Sequence, residues 1–177
     1  MRHAIRLQMT LRIIQNKSEQ KNFYKNNLLP TSKFKNYPSV NELKKSFRKD
    51  KFDFPFVWKS SKFGYDGKGV KIIKKIEDLD FSYDNQCLIE EKISIKKELS
   101  VIVSRNIDGE IKHFPVVEME FNEKSNLVEY VMCPASISKK TEEKAIKIAT
   151  EASEKFEMVG LLAVELFLTH DDEILIN

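Results

Sequence analysis

The spacing of apolar residues changes several times along this chain, and each change marks an element. Residues 1 to 10 show no clear period and read as a ragged start. The stretch from Leu11 to Leu29 becomes helix-like in its later part. Asn16 and Glu19 are spaced as a capping-box variant there, Phe23, Asn27 and Leu28 follow down one side, and Pro30 ends the segment. Ser39-Val-Asn-Glu42 is a second capping box, and Val40, Leu43 and Phe47 recur at helical spacing behind it. From there alternation takes over. Phe54 to Ser60 predicts a strand, and Val70-Lys-Ile-Ile73 predicts another after a glycine-rich break. Gln86 to Ile93 reads as a strand running into a polar linker, with Glu98 to Ser104 as its neighbour. Asp108-Gly109 is a hairpin signal that returns the chain along Glu110 to Phe121, and Leu127 to Met132 adds a strand. Ala145, Ile148, Ala149, Ala152 and Phe156 then repeat at helical spacing from Thr141, the expected cap, with Gly160 just past the end. Leu161 to Thr169 is an apolar strand interrupted by Glu165, and His170-Asp-Asp-Glu173 turns it back into Ile174 to Asn177. The pattern predicts an α+β fold, with a small β-rich lobe followed by a larger antiparallel sheet backed by a helix.

The break between the two early strands is the most informative stretch. Lys59 to Val70 holds three of the chain's five glycines, Gly64, Gly67 and Gly69, with Lys59, Lys62 and Lys68 around them. Glycine reaches positive φ cheaply and places no side chain between backbone and ligand, so successive N–H groups can turn inward around an anion. A hairpin whose lysines merely face solvent fits the spacing equally well. The run matches neither G-x-x-x-x-G-K-[ST] nor G-x-G-x-x-G, and no helix follows it, which disfavours P-loop and dinucleotide folds.

Charge sharpens this picture. The net charge of +3 hides a division: residues 1–75 carry 19 Lys/Arg against 5 Asp/Glu, and the remainder 11 against 22. The basic half has no cationic stripe and the acidic half would repel a duplex, so nucleic acid is not the expected partner. A polyphosphate with its metal ions, held between a basic and an acidic lobe, fits better. No apolar run reaches membrane-spanning length and no basic-then-apolar leader opens the chain, which predicts a cytoplasmic protein with no membrane partner. Cys87 and Cys133 stand apart in apolar surroundings and read as core thiols, while His3, His113 and His170 form no triad or ligand pair. Glu165 shares a strand face with Ala163 and Phe167. If buried it needs a cation such as Mg²⁺, and otherwise it sits on the solvated face of an edge strand. Glu90, Glu91 and Glu98 flank the expected lobe junction. Spacing alone favours surface charge for them, with recognition of a base edge or ribose as the alternative.

Taken together, Phe56-Val-Trp-Lys59, Phe63-Gly-Tyr-Asp-Gly-Lys-Gly69, Leu88-Ile-Glu-Glu91, Glu98-Leu-Ser-Val101, Phe114-Pro-Val-Val-Glu118, Cys133-Pro-Ala135 and Leu162-Ala-Val-Glu-Leu166 resemble the ATP-grasp ligases. Among these the chain is most similar to the 5-(carboxyamino)imidazole ribonucleotide synthetase branch of purine biosynthesis. The resemblance runs from about Leu11 to Asn177 and implies a linking helix and small lobe over residues 11–92 and a larger lobe over residues 93–177. It implies an ATP- and Mg²⁺-dependent ligase that joins bicarbonate to the amine of 5-aminoimidazole ribonucleotide through carboxyphosphate, and a homodimer in the complete enzyme.

Carried over by position, Lys17 and Lys59 contact ATP phosphates, and Gly64, Tyr65, Asp66, Gly67, Lys68, Gly69 and Val70 close over them. Glu90, Glu91, Lys92 and Ile93 meet the adenine, Glu98 the ribose and Glu165 a Mg²⁺. Tyr65, Asp66 and Lys68 also face the ribonucleotide or bicarbonate as catalytic groups. Three departures stand out. Asn16-Lys17 replaces an Asp-Arg or Asp-Lys pair, Phe121 stands where many members have histidine, and Asn177 matches the first residue of an Asn-Glu metal-binding pair. The chain as given is therefore expected to be the central, truncated ATP-binding piece, weak in binding Mg-ATP and inactive alone. A non-catalytic nucleotide-binding module and another carboxylating ATP-grasp ligase are the alternatives.

Overall fold

The computed structural model describes residues 2–47, 53–62, 69–79, 84–122 and 127–177. The chain opens with helix α1 (Arg2–Ile14), where a ragged start was expected. Leu7, Met9 and Leu11 stay exposed; the helix docks through Ile13 and Ile14 on the large core and through buried Thr10, whose hydroxyl donates to the Phe156 carbonyl at 3.2 Å. Helix α2 (Lys17–Asn26) begins as the capping pattern predicts, the Asn16 side chain accepting from the Ser18 and Glu19 amides. Its inward face is Ser18, Lys21 and Tyr24. The expected Leu28 is exposed and takes a left-handed conformation just past the helix end (φ 58°).

The small sheet holds β1 (Phe34–Tyr37), β2 (Phe56–Ser60), β3 (Val70–Ile73) and β4 (Cys87–Glu91) in the order β1-β4-β2-β3, all antiparallel. Helix α3 (Val40–Ser46), capped by Ser39, lays Val40 and Leu43 against Phe56, Trp58, Ile73, Cys87 and Ile89 on one face. The opposite face is left for other work.

The large sheet runs β10-β9-β5-β7-β8, from β5 (Ile95–Arg105), β7 (Val117–Phe121), β8 (Val128–Met132), β9 (Gly160–Thr169) and β10 (Ile174–Ile176), with the short β6 (Ile111–His113) also on β5. The expected pairing of Glu98 to Ser104 with the preceding strand is not made. Both edges of β4 are taken by β1 and β2, so the chain crosses at residues 92–94 and β5 pairs with β9 in the other sheet. The return after Gly109 (φ 89°) is two short strands and not one, divided at Pro115, which has no N–H to give to a ladder.

Helix α4 (Lys139–Phe156) covers one face of this sheet. Its alanines, Ala145, Ala149 and Ala152, let it lie close over Val101, Val103, Val164 and Leu166. Its cap is Ser138, not Thr141: the Ser138 hydroxyl accepts from the Thr141 amide at 3.2 Å, so the helix starts a turn early. Phe156 stacks on Phe23 of α2, with ring centroids 4.1 Å apart and planes 10° apart, which ties α2 to the large sheet. Cys87 is a core thiol as expected. Cys133 is exposed, beside β8 at the sheet edge.

Backbone contacts join the two sheets. Ile176 of β10 donates to Pro30, and Thr31 bridges Ile176 in parallel, just ahead of β1. No helix among the described residues is long and apolar enough to cross a membrane.

Candidate active site

Residues paired across an antiparallel ladder point to the same side of a sheet, so the registers identify what each sheet presents away from its helix. On the small sheet, Lys59 pairs with Leu88 and Val70, and Val57 with Glu90 and Ile72. That face therefore carries Val57, Val70, Ile72 and Leu88 around two charged groups, Lys59 and Glu90. On the large sheet, Glu98 pairs with Phe167 and Met119, Ser100 with Glu165, and Leu175 with Phe167. The second face thus offers Met119, Phe167 and Leu175 as an apolar platform beside the carboxylates of Glu98 and Glu165.

The two faces meet across a cleft whose inner end is a cavity of about 290 Å³, lined by Lys17, Lys21, Lys59, Glu90, Ala163, Glu165 and Asn177 among others. The Lys59 ammonium donates to Asn177 Oδ1 at 3.0 Å, and Asn177 Nδ2 donates to Glu165 Oε2 at 3.3 Å. One chain of contacts therefore runs from the small sheet to the large. Lys17 joins it from the first turn of α2. The start of that helix is anchored to β2, since the Lys17 amide donates to the Ser61 carbonyl and the Ser18 and Ser61 hydroxyls bond each other.

Burial, and then the neighbouring Lys59 ammonium, push the Lys17 ammonium below its ordinary range. Burial pushes the Glu90 carboxyl up, but the Lys59 and Lys21 ammoniums together outweigh it and leave it below the ordinary carboxylate range. Glu98 lies above that range, raised by burial and by Glu165 across the face. A cleft with partly desolvated cations at one end and mutually repelling carboxylates at the other is poised for a ligand that brings both anionic and cationic groups.

Lys17, Lys59, Glu90, Glu98 and Glu165 are thus brought to one cleft. Two sequence expectations change there. Glu165 is not a buried carboxylate in search of a partner; it is exposed to the cleft on a strand flanked by β5 and β10, so it is not on an edge either. Glu90 is not surface charge: it is 4% exposed, with Lys59 3.1 Å from Oε1, Lys21 3.1 Å from Oε2, and Ser32 donating to Oε2 at 2.6 Å. Its Oε1 faces the Lys59 ammonium in an ion pair without a hydrogen bond, its backbone and that of Glu91 lie in the β4 ladders, and Lys92 and Ile93 follow where the strand ends. Glu91 and Lys92 are exposed, and Glu91 turns outward to Lys33. Gly64, Tyr65, Asp66, Gly67 and Lys68 lie outside the described residues. Gly69 is buried, its carbonyl accepting from Ser60, and Val70 opens β3.

Sequence reasoning passed over Lys21, Thr31 and Ser32. The Lys21 ammonium donates to Thr31 Oγ1 at 2.7 Å and Ser32 Oγ at 2.9 Å, besides pairing with Glu90. The signal was present: Ser18, Lys21 and Tyr24 are three apart, so a lysine stands in the stripe where α2 meets the fold.

Among the described residues no group of three His, Cys, Asp or Glu side chains is placed to hold a metal ion. Glu165 and the Asn177 side-chain carbonyl are nevertheless hard oxygen donors within one hydrogen bond of each other. They suit a hard cation that takes its remaining ligands from a bound phosphate or water.

Comparison with known proteins agrees with this geometry. The model of the ATP-grasp domain matches residues 22–177. The chain is 33% identical over 171 residues to N5-carboxyaminoimidazole ribonucleotide synthase of Bacillus subtilis, covering 94% of this chain and 44% of that protein. The crystal structure of N5-carboxyaminoimidazole ribonucleotide synthetase from Thermotoga maritima superposes with a TM-score of 0.79 at 40% identity, over 96% of this chain and 42% of the other. The Aspergillus clavatus enzyme, solved with ADP and 5-aminoimidazole ribonucleotide, gives 0.81 at 27% identity, over 95% and 44%. The chain spans less than half the length of these relatives. With a small sheet folded over a larger one, a lysine and a carboxylate facing each other across the cleft between them, and a domain match over most of its length, the chain belongs to the ATP-grasp family.

Proposed function

We propose that this chain supplies the ATP-binding core of a ligase that carboxylates 5-aminoimidazole ribonucleotide with bicarbonate, releasing ADP and phosphate. The observation that carries the reading is the Lys59–Asn177–Glu165 chain across the cleft, which puts a cation and hard oxygen donors at one point between two apolar faces. The base lies between the Val57, Val70 and Leu88 side and the Met119 and Phe167 side, with its edge at the backbone of residues 90–93 and its ribose at Glu98. Lys17 and Lys59 meet the phosphates, and the Gly64–Val70 segment covers them. Glu165, with Asn177, holds Mg²⁺, which when bound neutralises charge on the phosphate oxygens.

The terminal phosphoryl passes to a bicarbonate oxygen as its bond to the bridging oxygen of ADP breaks. The ribonucleotide amine then attacks the carboxyl carbon of the carboxyphosphate, phosphate leaves, and the amine loses a proton. Such transfer rests on positioning and charge neutralisation, not on a special nucleophile, and these groups provide both. Tyr65, Asp66 and Lys68 belong to the bicarbonate and ribonucleotide side. The division into lobes at residues 92 and 93, a cytoplasmic location and a homodimeric complete enzyme belong to the same reading. The names of the relatives support it, as does the ADP and ribonucleotide in the Aspergillus structure. The test, on a protein that carries this chain at the full length of its relatives, is ADP release that needs bicarbonate and 5-aminoimidazole ribonucleotide together and is lost in Glu165→Gln. Release that ignores either substrate would overturn the assignment.

A further inference from the structure

Two ammoniums and one carboxylate are packed together at the inner end of the cleft. Lys21 is 2% exposed, Glu90 4% and Lys59 8%, so water screens none of them effectively. Lys59 and Lys21 take opposite oxygens of Glu90, each at 3.1 Å. They differ in what else they reach. Lys21 is enclosed by Thr31, Ser32 and Glu90, whereas Lys59 turns to Asn177 on the cleft side.

We propose that Lys21 is a positioning residue whose charge neutralises Glu90, so that the positive charge of Lys59 is left for the phosphates of the nucleotide. This rests on the reading of Lys59 as a phosphate ligand. With Lys21 present the triad carries one net positive charge, and Lys59 is the member that reaches across to Asn177. Without it Lys59 and Glu90 form a neutral pair, and a phosphate must compete with a buried carboxylate for the same ammonium. Lys17 adds a cation on the wall of the same cavity, where it feels Glu90 through space, and Glu98 and Glu165 add anions on the opposite face, but the direct partners of the Glu90 carboxylate are Lys59, Lys21 and Ser32. Ser32 serves the same arrangement, donating to Glu90 Oε2 while accepting from Lys21.

The experiment is calorimetric binding of ATP and of adenosine to the whole chain and its variants. Lys21→Gln keeps a donor for Thr31 and Ser32 but drops the charge, and Lys21→Met is a second probe should the first not fold. Either is expected to weaken ATP binding by about tenfold or more, a charge-assisted contact's worth, with adenosine changed by less than about twofold. Adding Glu90→Gln to the same chain restores the net charge and is expected to recover most of the lost ATP affinity. A purely structural lysine would lower the melting temperature without changing the ratio of ATP to adenosine affinity, and the second substitution would make matters worse. Either of these results overturns the proposal. If Lys59→Met lowers the ratio and Lys21→Gln does not, only the role of Lys21 fails. If Lys59→Met also leaves the ratio unchanged, the phosphate reading fails with it.

Discussion

At the residue scale, Lys59 and Lys62 illustrate how differently two nearby lysines can be placed. Lys59 is held by β2, Glu90 and Asn177, whereas Lys62 is exposed at the end of the described part of the loop. Lys59→Ala is therefore expected to weaken ATP binding by about 10- to 100-fold, the range for a charge-assisted hydrogen bond, and Lys62→Ala by far less. Equal losses in a titration would mean that general charge binds the nucleotide. Glu90 has its own signature. Its carboxyl lies below the ordinary value of 4.5, so the stability it contributes is complete above that pH and is lost as pH falls through the lowered value. Glu90→Gln leaves two buried ammoniums without their anion and is expected to cost about 3–5 kcal/mol at neutral pH. The gap between the two melting curves should narrow below pH 4.5, and a constant gap would show that the charge of Glu90 does not carry its stability. Residue roles were the least legible part of the sequence. Alternation gave the face of Glu165 correctly but not whether that face was covered, and nothing local to Glu90 announces partners 31 or more positions away on α2 and β2.

At the element scale the sequence was far more informative, because caps and periods are written within a few residues. The Asn16 and Ser39 caps, the helix carrying Ala145, Ala149 and Ala152, and most strands of both sheets stand where pattern placed them; β1 (Phe34–Tyr37) was not foreseen, and the strand expected over Glu110 to Phe121 is divided in two. Errors arose where a long-range contact decides. Helix α1 is held at its end by Thr10 and by Ile13 and Ile14 against the large core, and β5 leaves β4 because β4 has no free edge. Ser138→Ala removes the α4 cap and is expected to cost about 1 kcal/mol, or about 2–4 °C in Tm for a chain of this length, whereas Thr141→Ala costs less. Thermal melts of the two variants decide which residue caps the helix. Phe156→Ala deletes the ring stacked on Phe23 and is expected to cost about 3–5 kcal/mol. Chemical denaturation would read that loss directly, and a loss below about 1 kcal/mol would show that α2 does not depend on this contact.

At the scale of the whole molecule, the division of charge between the halves of the chain becomes a division across a cleft. Lys17, Lys21 and Lys59 reach it from α2 and β2, and Glu98 and Glu165 from the large sheet. The backbone contacts of Ile176 with Pro30 and Thr31 lie beside β1, at one edge of the small sheet. That makes the sheet a lever. Its pivot is the seam, β3 lies three strand spacings out at about 14 Å, and a rotation of about 10° would carry β3 roughly 2.5 Å while leaving Pro30 and Ile176 in contact. Nitroxide labels at Lys33 and Lys155 span the pivot, and labels at Lys74 and Lys155 span the far end. Adding ATP should shift the second distance more than the first, and equal shifts would mean that the sheet translates. The same small torque that scarcely disturbs the Lys59–Glu90 pair therefore gives Val70 and Ile72 of β3 their longest travel.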